Sequence, residues 1–212
     1  MATDALEPSR TPAHPIDPLF HGRWSPRSFS GERIPDAVLA SAFEAARWAP
    51  SASNFQPWRF VVARQGEREW PIFLSLLAAR NQRWAAQASA LILITSQRER
   101  ERDGERGPVR THSFDAGAAW ANFAHQTLLL GWHTRAIGGF DREAARVALG
   151  VPDAFSVEAM VAIGRKATIA TLDADFHEQE KPNGRREIAD SVFVGRFGQT
   201  GFANHANQGA AK

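Results

Sequence analysis

The run Ala-Leu-Ile-Leu-Ile-Thr at residues 90–95 constrains the fold more than any other stretch of the chain. It shows water no polar face, and it is too short to cross a bilayer. A segment of this kind fits a central strand covered on both sides. The neighbouring sequence supplies the covers. Residues 35–49 place Val38, Leu39, Ala42, Phe43 and Ala46 on one helical face, with Pro35 suited to the first turn. Residues 58–63 read as a strand centred on Phe60, Val61 and Val62, and residues 67–79 as a second helix. The small-residue-rich stretch 114–131 predicts a long helix buried on most sides. Asp141 caps a short helix over 141–149, and residues 157–164 form a further strand. Strands and helices alternate without repeats or an internal linker, so a single domain over 21–200 is expected, with a mixed sheet covered by helices. Residues 1–20 read as an arm, 97–110 as a charged loop or insertion, the segment after Ala167 as irregular, and 201–212 as a tail.

Composition removes several classes of function. The 212 residues carry a formal net charge of only +2, with no clustered basic footprint for nucleic acid. No cysteine is present, which excludes disulfides, thiolate nucleophiles and cysteine-ligated metals. His112, His125, His133 and His177 lack metal-ligand spacing, and no metal is expected. The first twenty residues lack the apolar core of a signal peptide, and no stretch is long enough for a membrane span. A cytoplasmic protein without nucleic-acid or membrane partners is the expectation.

Three clusters carry chemistry. Arg23-Trp24-Ser25-Pro26-Arg27 brings two guanidinium forks and a hydroxyl within reach of one anion. Pro50-Ser51-Ala52-Ser53-Asn54-Phe55-Gln56-Pro57-Trp58 joins a helix to a strand through a loop dense in donors, acceptors and apolar walls, suited to the edge of a planar heterocycle. Ile137-Gly138-Gly139-Phe140-Asp141 lets backbone approach a ligand closely. The G-x-G-x-x-G fingerprint is absent, so no Rossmann domain is inferred. Taken singly, each cluster is also what an exposed or capped turn looks like. No triad, G-x-S-x-G or paired-carboxylate signature is found.

In order and spacing the set resembles the flavin reductases called nitroreductases. R-x-S-x-R comes first, then P-S-x-S-N-x-Q-P-W, a helix with Asn81, the G-G-F-D turn, Gly150-Val151-Pro152, a strand ending in Gly164, and a late Arg185-Arg186. Asp115-Ala116-Gly117 opening the long helix matches too, and the resemblance covers about residues 20–200. It implies an α+β, three-layer, nitroreductase-like fold: a mixed, mostly antiparallel sheet flanked by helices, in an intertwined homodimer with shared active sites. It further implies FMN, with NADH or NADPH as reductant and a small acceptor such as a nitroaromatic or quinone, in ping-pong turnover.

By that resemblance Arg23 and Ser25 hold the phosphate and ribityl chain, Arg27 lies near the N1/O2 edge of the flavin as its stabiliser, and Trp24 and Trp84 are further cofactor-binding residues. Pro50, Ser51, Ala52, Ser53, Asn54 and Gln56 come from the partner chain. Asn81 bonds the pyrimidine edge; Ile137, Gly138 and Gly139 present backbone N–H groups to N5 and O4; Arg185 or Arg186 returns to the phosphate. No side-chain acid or base is required. Trp84 stands where some members have a lysine near the flavin edge, and Gly138 where several have glutamate. The absence of tyrosine argues against the dehalogenating branch. The alternatives are a non-catalytic flavin-binding sensor or carrier, and the family's flavin-fragmenting branch.

Overall fold

The computed structural model describes residues 10–102 and 104–201, without the side chain of Arg102. The start of the expected arm and the tail beyond 201 lie outside the described residues. Two compact units are present: Arg23–Lys181, and the described flanks 10–22 with 182–201. The flanks carry one short helix, α1 (Pro18–Gly22).

In the larger unit the strands are β1 (Trp58–Arg64), β2 (Ala90–Gln97), β3 (Glu99–Arg102), β4 (Glu105–Pro108), β5 (His133–Ile137) and β6 (Phe155–Gly164). Four of them form one sheet in the order β1-β2-β6-β5, and each pairing in it is antiparallel. The apolar run is where its composition requires: β2 is interior, with every residue from Ala90 to Ser96 buried. Side chains alternate across a strand. Leu91 and Leu93 therefore join Trp84, Phe140, Met160 and Ala162 on one face. Ala90, Ile92 and Ile94 join Leu39, Ala46, Ala119 and Phe123 on the other.

That second face is covered by α2 (Asp36–Arg47) and α5 (His112–Leu129), whose seam closes where Phe43 meets Phe60 at 5.2 Å and Phe123 at 5.0 Å between ring centroids. The first face is covered by α3 (Trp70–Ser75), α4 (Ala79–Ala85) and α6 (Arg142–Ala148). The Asp141 carboxylate accepts the Ala144 N–H at 2.9 Å, the cap expected from the sequence. The result is the expected α+β three-layer arrangement.

Three local expectations are corrected. The helix expected over 67–79 is broken into α3 and α4. At the break Leu77 bridges Phe140, the Ala78 N–H donates to the Gly139 carbonyl at 3.0 Å and the Asp141 N–H to the Leu76 carbonyl at 2.9 Å. Pairing with the Gly-Gly turn outweighs local helix propensity there. The charged segment 97–110 contains the β3–β4 hairpin, turning at Gly104 with φ +81°. Finally β5, His-Thr-Arg-Ala-Ile, has no counterpart among the expected strands; its polar residues hid it.

Candidate functional site

The stretch Arg23–Ser30 runs past the end of β6. Phe29 forms a bridge to Lys166, the Ser30 N–H donates to the Arg165 carbonyl at 3.0 Å and the Ala167 N–H to the Ser28 carbonyl at 2.8 Å. Gly164 makes this packing possible, because a Cβ there would stand 2.7 Å from the Phe29 ring. The chain is thus pinned immediately after Arg27.

Within this stretch the Arg23 guanidinium donates to Ser25 Oγ at 3.2 Å, and the Lys166 ammonium sits 5.3 Å from the Trp24 ring centroid. A buried carboxylate organises the next residues. Glu180, its side chain 3% exposed, accepts the N–H of Arg27 at 2.9 Å, the N–H of Ser28 at 2.9 Å and the Ser28 hydroxyl at 2.8 Å. The Arg27 guanidinium lies 4.0 Å from Glu180 and donates to the Gln179 carbonyl at 3.3 Å and side-chain oxygen at 3.2 Å. Glu180 ends a strap whose Phe176 is buried beneath the guanidinium groups of Arg80 and Arg83, each 5.0 Å from its ring. Arg83 on α4 ties the strap down through Asp173 at 2.8 Å and Asp175 at 2.7 Å.

Positive charge is concentrated here. Burial lowers the Arg27 pKa, opposed by Glu180 and reinforced by Arg80. Arg135 on β5 donates to the Ser25 carbonyl; burial, with Arg27 adding its repulsion, brings it down to about 10. His133, at the start of β5, is held down at about 4 by burial first and then by Lys166 and Arg23, so it is neutral near pH 7.

Asn81 and the Gly-Gly turn do meet. Asn81 Nδ2 donates to the Gly139 carbonyl at 3.0 Å, and its Oδ1 accepts Trp84 Nε1 at 3.2 Å. One amide hydrogen and one oxygen lone pair remain for a ligand. Gly139 is required for the contact, since a Cβ there would come within 2.9 Å of Asn81 Nδ2, whereas a Cβ on Gly138 would meet nothing within 4 Å. Ile137 is buried at the end of β5. Trp84 is 2% exposed, a core side chain that orients Asn81 rather than a surface group in the place of a lysine.

The loop Pro50–Gln56 is elsewhere in this chain. It enters β1, at the opposite edge of the sheet from β5. Three strand spacings of about 4.8 Å separate those edges by roughly 14 Å. The loop is held mainly by itself: Ser51 Oγ accepts the Gln56 N–H at 3.0 Å, and Gln56 Nε2 donates to the Asn54 carbonyl at 3.0 Å. Its tie to α5 is the buried Asp115, which accepts the Ala52 N–H at 3.2 Å and the Thr111 hydroxyl at 2.9 Å. Ser53, Asn54 and Gln56 all have φ between 53° and 54°. Such backbone is costly for side-chain-bearing residues and clusters at functional sites.

Arg185 and Arg186 belong to the other unit, both exposed; the Arg185 guanidinium donates to the Asn183 and Gly184 carbonyls. A hollow between α2 and β1, lined by Asp36, Leu39, Phe43 and Val62 among others, contains none of the candidate residues. Among the described residues no group of three or more acidic or histidine side chains could hold a metal, and no helix is long and apolar enough to cross a membrane.

The model of the nitroreductase family matches residues 21–165. The chain belongs to the nitroreductase family. A crystal structure of an oxidoreductase containing FMN has a TM-score of 0.88 at 45% identity, covering 92% of this chain and 100% of that one. A structure from Desulfovibrio desulfuricans solved in complex with FMN has a TM-score of 0.66 at 25% identity, covering 88% and 99%. A NADH dehydrogenase of Thermus thermophilus is 29% identical over 172 residues, spanning 68% of this chain and 83% of its own length.

Within this nitroreductase-family chain, Arg135, Lys166 and Glu180 are site-proximal residues that sequence reasoning missed. Arg135 had a usable signal: a charge two residues before the inward-facing Ile137 on a short strand. Glu180 had none, because it lies 153 residues from Arg27.

Proposed function

We propose that this chain is an FMN-dependent oxidoreductase that passes reducing equivalents from NADH or NADPH to a small acceptor such as a nitroaromatic or a quinone, by ping-pong turnover. The observation that carries the reading is the cation set Arg23, Arg27 and Arg135 gathered around Ser25, with Asn81 beside Gly139. Its donor chemistry suits a ligand with a dianionic phosphate and a polar heterocyclic edge, and Gly138 leaves backbone open to close approach. The FMN content of the 45%-identical relative supports the same assignment.

Bound FMN would supply the two-electron acceptance and donation. The chain's own residues bind and orient. Arg23 and Ser25 would hold the phosphate and ribityl chain, with Trp24 alongside. Arg27 would serve the N1/O2 edge, where a fixed cation would stabilise negative charge on the bound flavin. Asn81 serves the pyrimidine edge with its remaining donor and acceptor, and Gly138 and Gly139 offer backbone groups. The loop Pro50–Gln56 completes the site of the partner subunit in a homodimer, consistent with its place on the opposite edge of the sheet.

The test is the visible absorbance spectrum of the purified protein, with FMN supplied, followed by anaerobic addition of NADH or NADPH. Flavin bands that bleach are expected. Bands that persist would reassign the protein as a flavin-binding sensor or carrier; no bands would overturn the cofactor.

A further inference from the structure

Arg135 is placed where an arginine is costly. Its guanidinium packs 5.6 Å from the ring centroid of the buried Trp84 and donates to the backbone carbonyl of Ser25, the centre of the R-x-S-x-R stretch. Among the described residues no carboxylate comes within ion-pair range of it. The nearby carboxylate of Glu180 is already engaged by two backbone N–H groups and the Ser28 hydroxyl, and it stands 4.0 Å from Arg27. One carboxylate thus serves two partly buried guanidiniums. Burying a cation without a matching anion is unfavourable. A scaffold that needed only a donor to the Ser25 carbonyl could have used a neutral side chain.

We infer that Arg135 is a positioning residue that fixes the Ser25 backbone between Arg23 and Arg27, and that its charge, with no carboxylate of its own, makes the site prefer an anionic ligand state, here reduced over oxidised FMN. This rests on the flavin reading above. In a water-poor site a fixed positive charge acts at far greater strength than in bulk water. The depressed pKa of Arg135 agrees with a charge held at a cost, and the group stays protonated near neutral pH.

The experiment measures dissociation constants for FMN and for dithionite-reduced FMN, anaerobically, in wild type, Arg135→Gln and Arg135→Lys. Glutamine can still donate to Ser25 but has no charge. Lysine keeps the charge but not the planar fork. In Arg135→Gln the affinity for reduced FMN should fall on the order of tenfold more than that for oxidised FMN, which lowers the two-electron potential of the bound flavin by about 30 mV. In Arg135→Lys both affinities should weaken together, leaving the ratio near wild type. A wild-type ratio in Arg135→Gln overturns the charge role. If the glutamine protein does not fold, Arg135→Lys decides: wild-type affinity for both forms overturns the positioning role, and equal weakening supports it. A wild-type protein that binds neither form overturns the flavin reading itself, and the role of Arg135 with it.

Discussion

Arg23–Ser30 and Pro50–Gln56 are both short connections rich in polar side chains, yet they are held in opposite ways. The first is fastened by contacts from distant parts of the chain: Arg135, Arg165, Ala167 and Glu180 all grip its backbone. The second is fastened largely by its own residues, at the cost of three non-glycine left-handed conformations. The fold fixes the cationic stretch through distant contacts, whereas the loop before β1 keeps its shape mainly through its own hydrogen bonds. On the proposed reading, the first would meet a cofactor phosphate with preorganised charge and the second would complete a site shared with a partner chain.

The largest effect expected from breaking the contrast is at Glu180. Glu180→Ala removes the acceptor of two N–H groups and a hydroxyl and leaves the Arg27 charge without its nearest anion. Loss of such a buried partner should cost about 3–5 kcal/mol in chemical denaturation. A loss below about 1 kcal/mol would mean that the stretch is not held as described.

Acidification should weaken the cationic half through His133, at the start of β5. His133 has a folded pKa of about 4 against an ordinary 6.5. Between these values the unfolded chain takes up a proton and the folded one does not. Stability therefore declines as the pH falls from about 6.5 towards 4, by about 3 kcal/mol from this group. Denaturation midpoints of His133→Gln across that window should show a flatter profile than wild type; parallel profiles would remove His133 as the cause.

Asp115→Ala is the counterpart of the Glu180 change on the loop side. It frees the Ala52 N–H and the Thr111 hydroxyl and should cost about 1–3 kcal/mol by the same denaturation assay. A cost equal to that of Glu180→Ala would erase the proposed difference between the two regions.

Smallest is Ser53→Gly, which relieves a φ of 53° and should raise stability by up to about 1 kcal/mol. Flavin titration of the same variant should show weaker binding, because the loop's shape is less fixed. Stability gained without loss of affinity would remove the loop's strain from function.

Much of the fold was readable because its strongest elements state their environment locally. Ala90–Thr95 has no polar side chain before its last residue, Leu39, Ala42 and Ala46 repeat at helical spacing, and Asp141 announces a helix start. Where tertiary contacts decide, reading failed. Nothing at Leu76-Leu77-Ala78 suggests a helix break; it exists because Phe140 and Gly139 pair there, and it carries Asn81 to the turn. The alternating charges of 99–108 look like a solvated loop until the two strands meet. The ordered motifs singled out Arg23, Ser25, Arg27, Asn81 and Gly139 as candidates, but Glu180 and Arg135, which hold the Ser25–Ser28 stretch, lie more than a hundred positions away from what they grip.

The central claim is that the two regions serve one site across two chains, and subunit mixing tests it most directly. One variant, Arg23→Ala with Arg27→Ala, disables the cationic stretch. The other, Asn54→Ala with Gln56→Ala, disables the loop. Each alone should bind FMN poorly. Mixed and allowed to exchange subunits, they should regain flavin binding and NAD(P)H-driven bleaching, because each hybrid dimer has one intact site. Mixtures that bind no more FMN than the two variants measured separately would contradict the shared site.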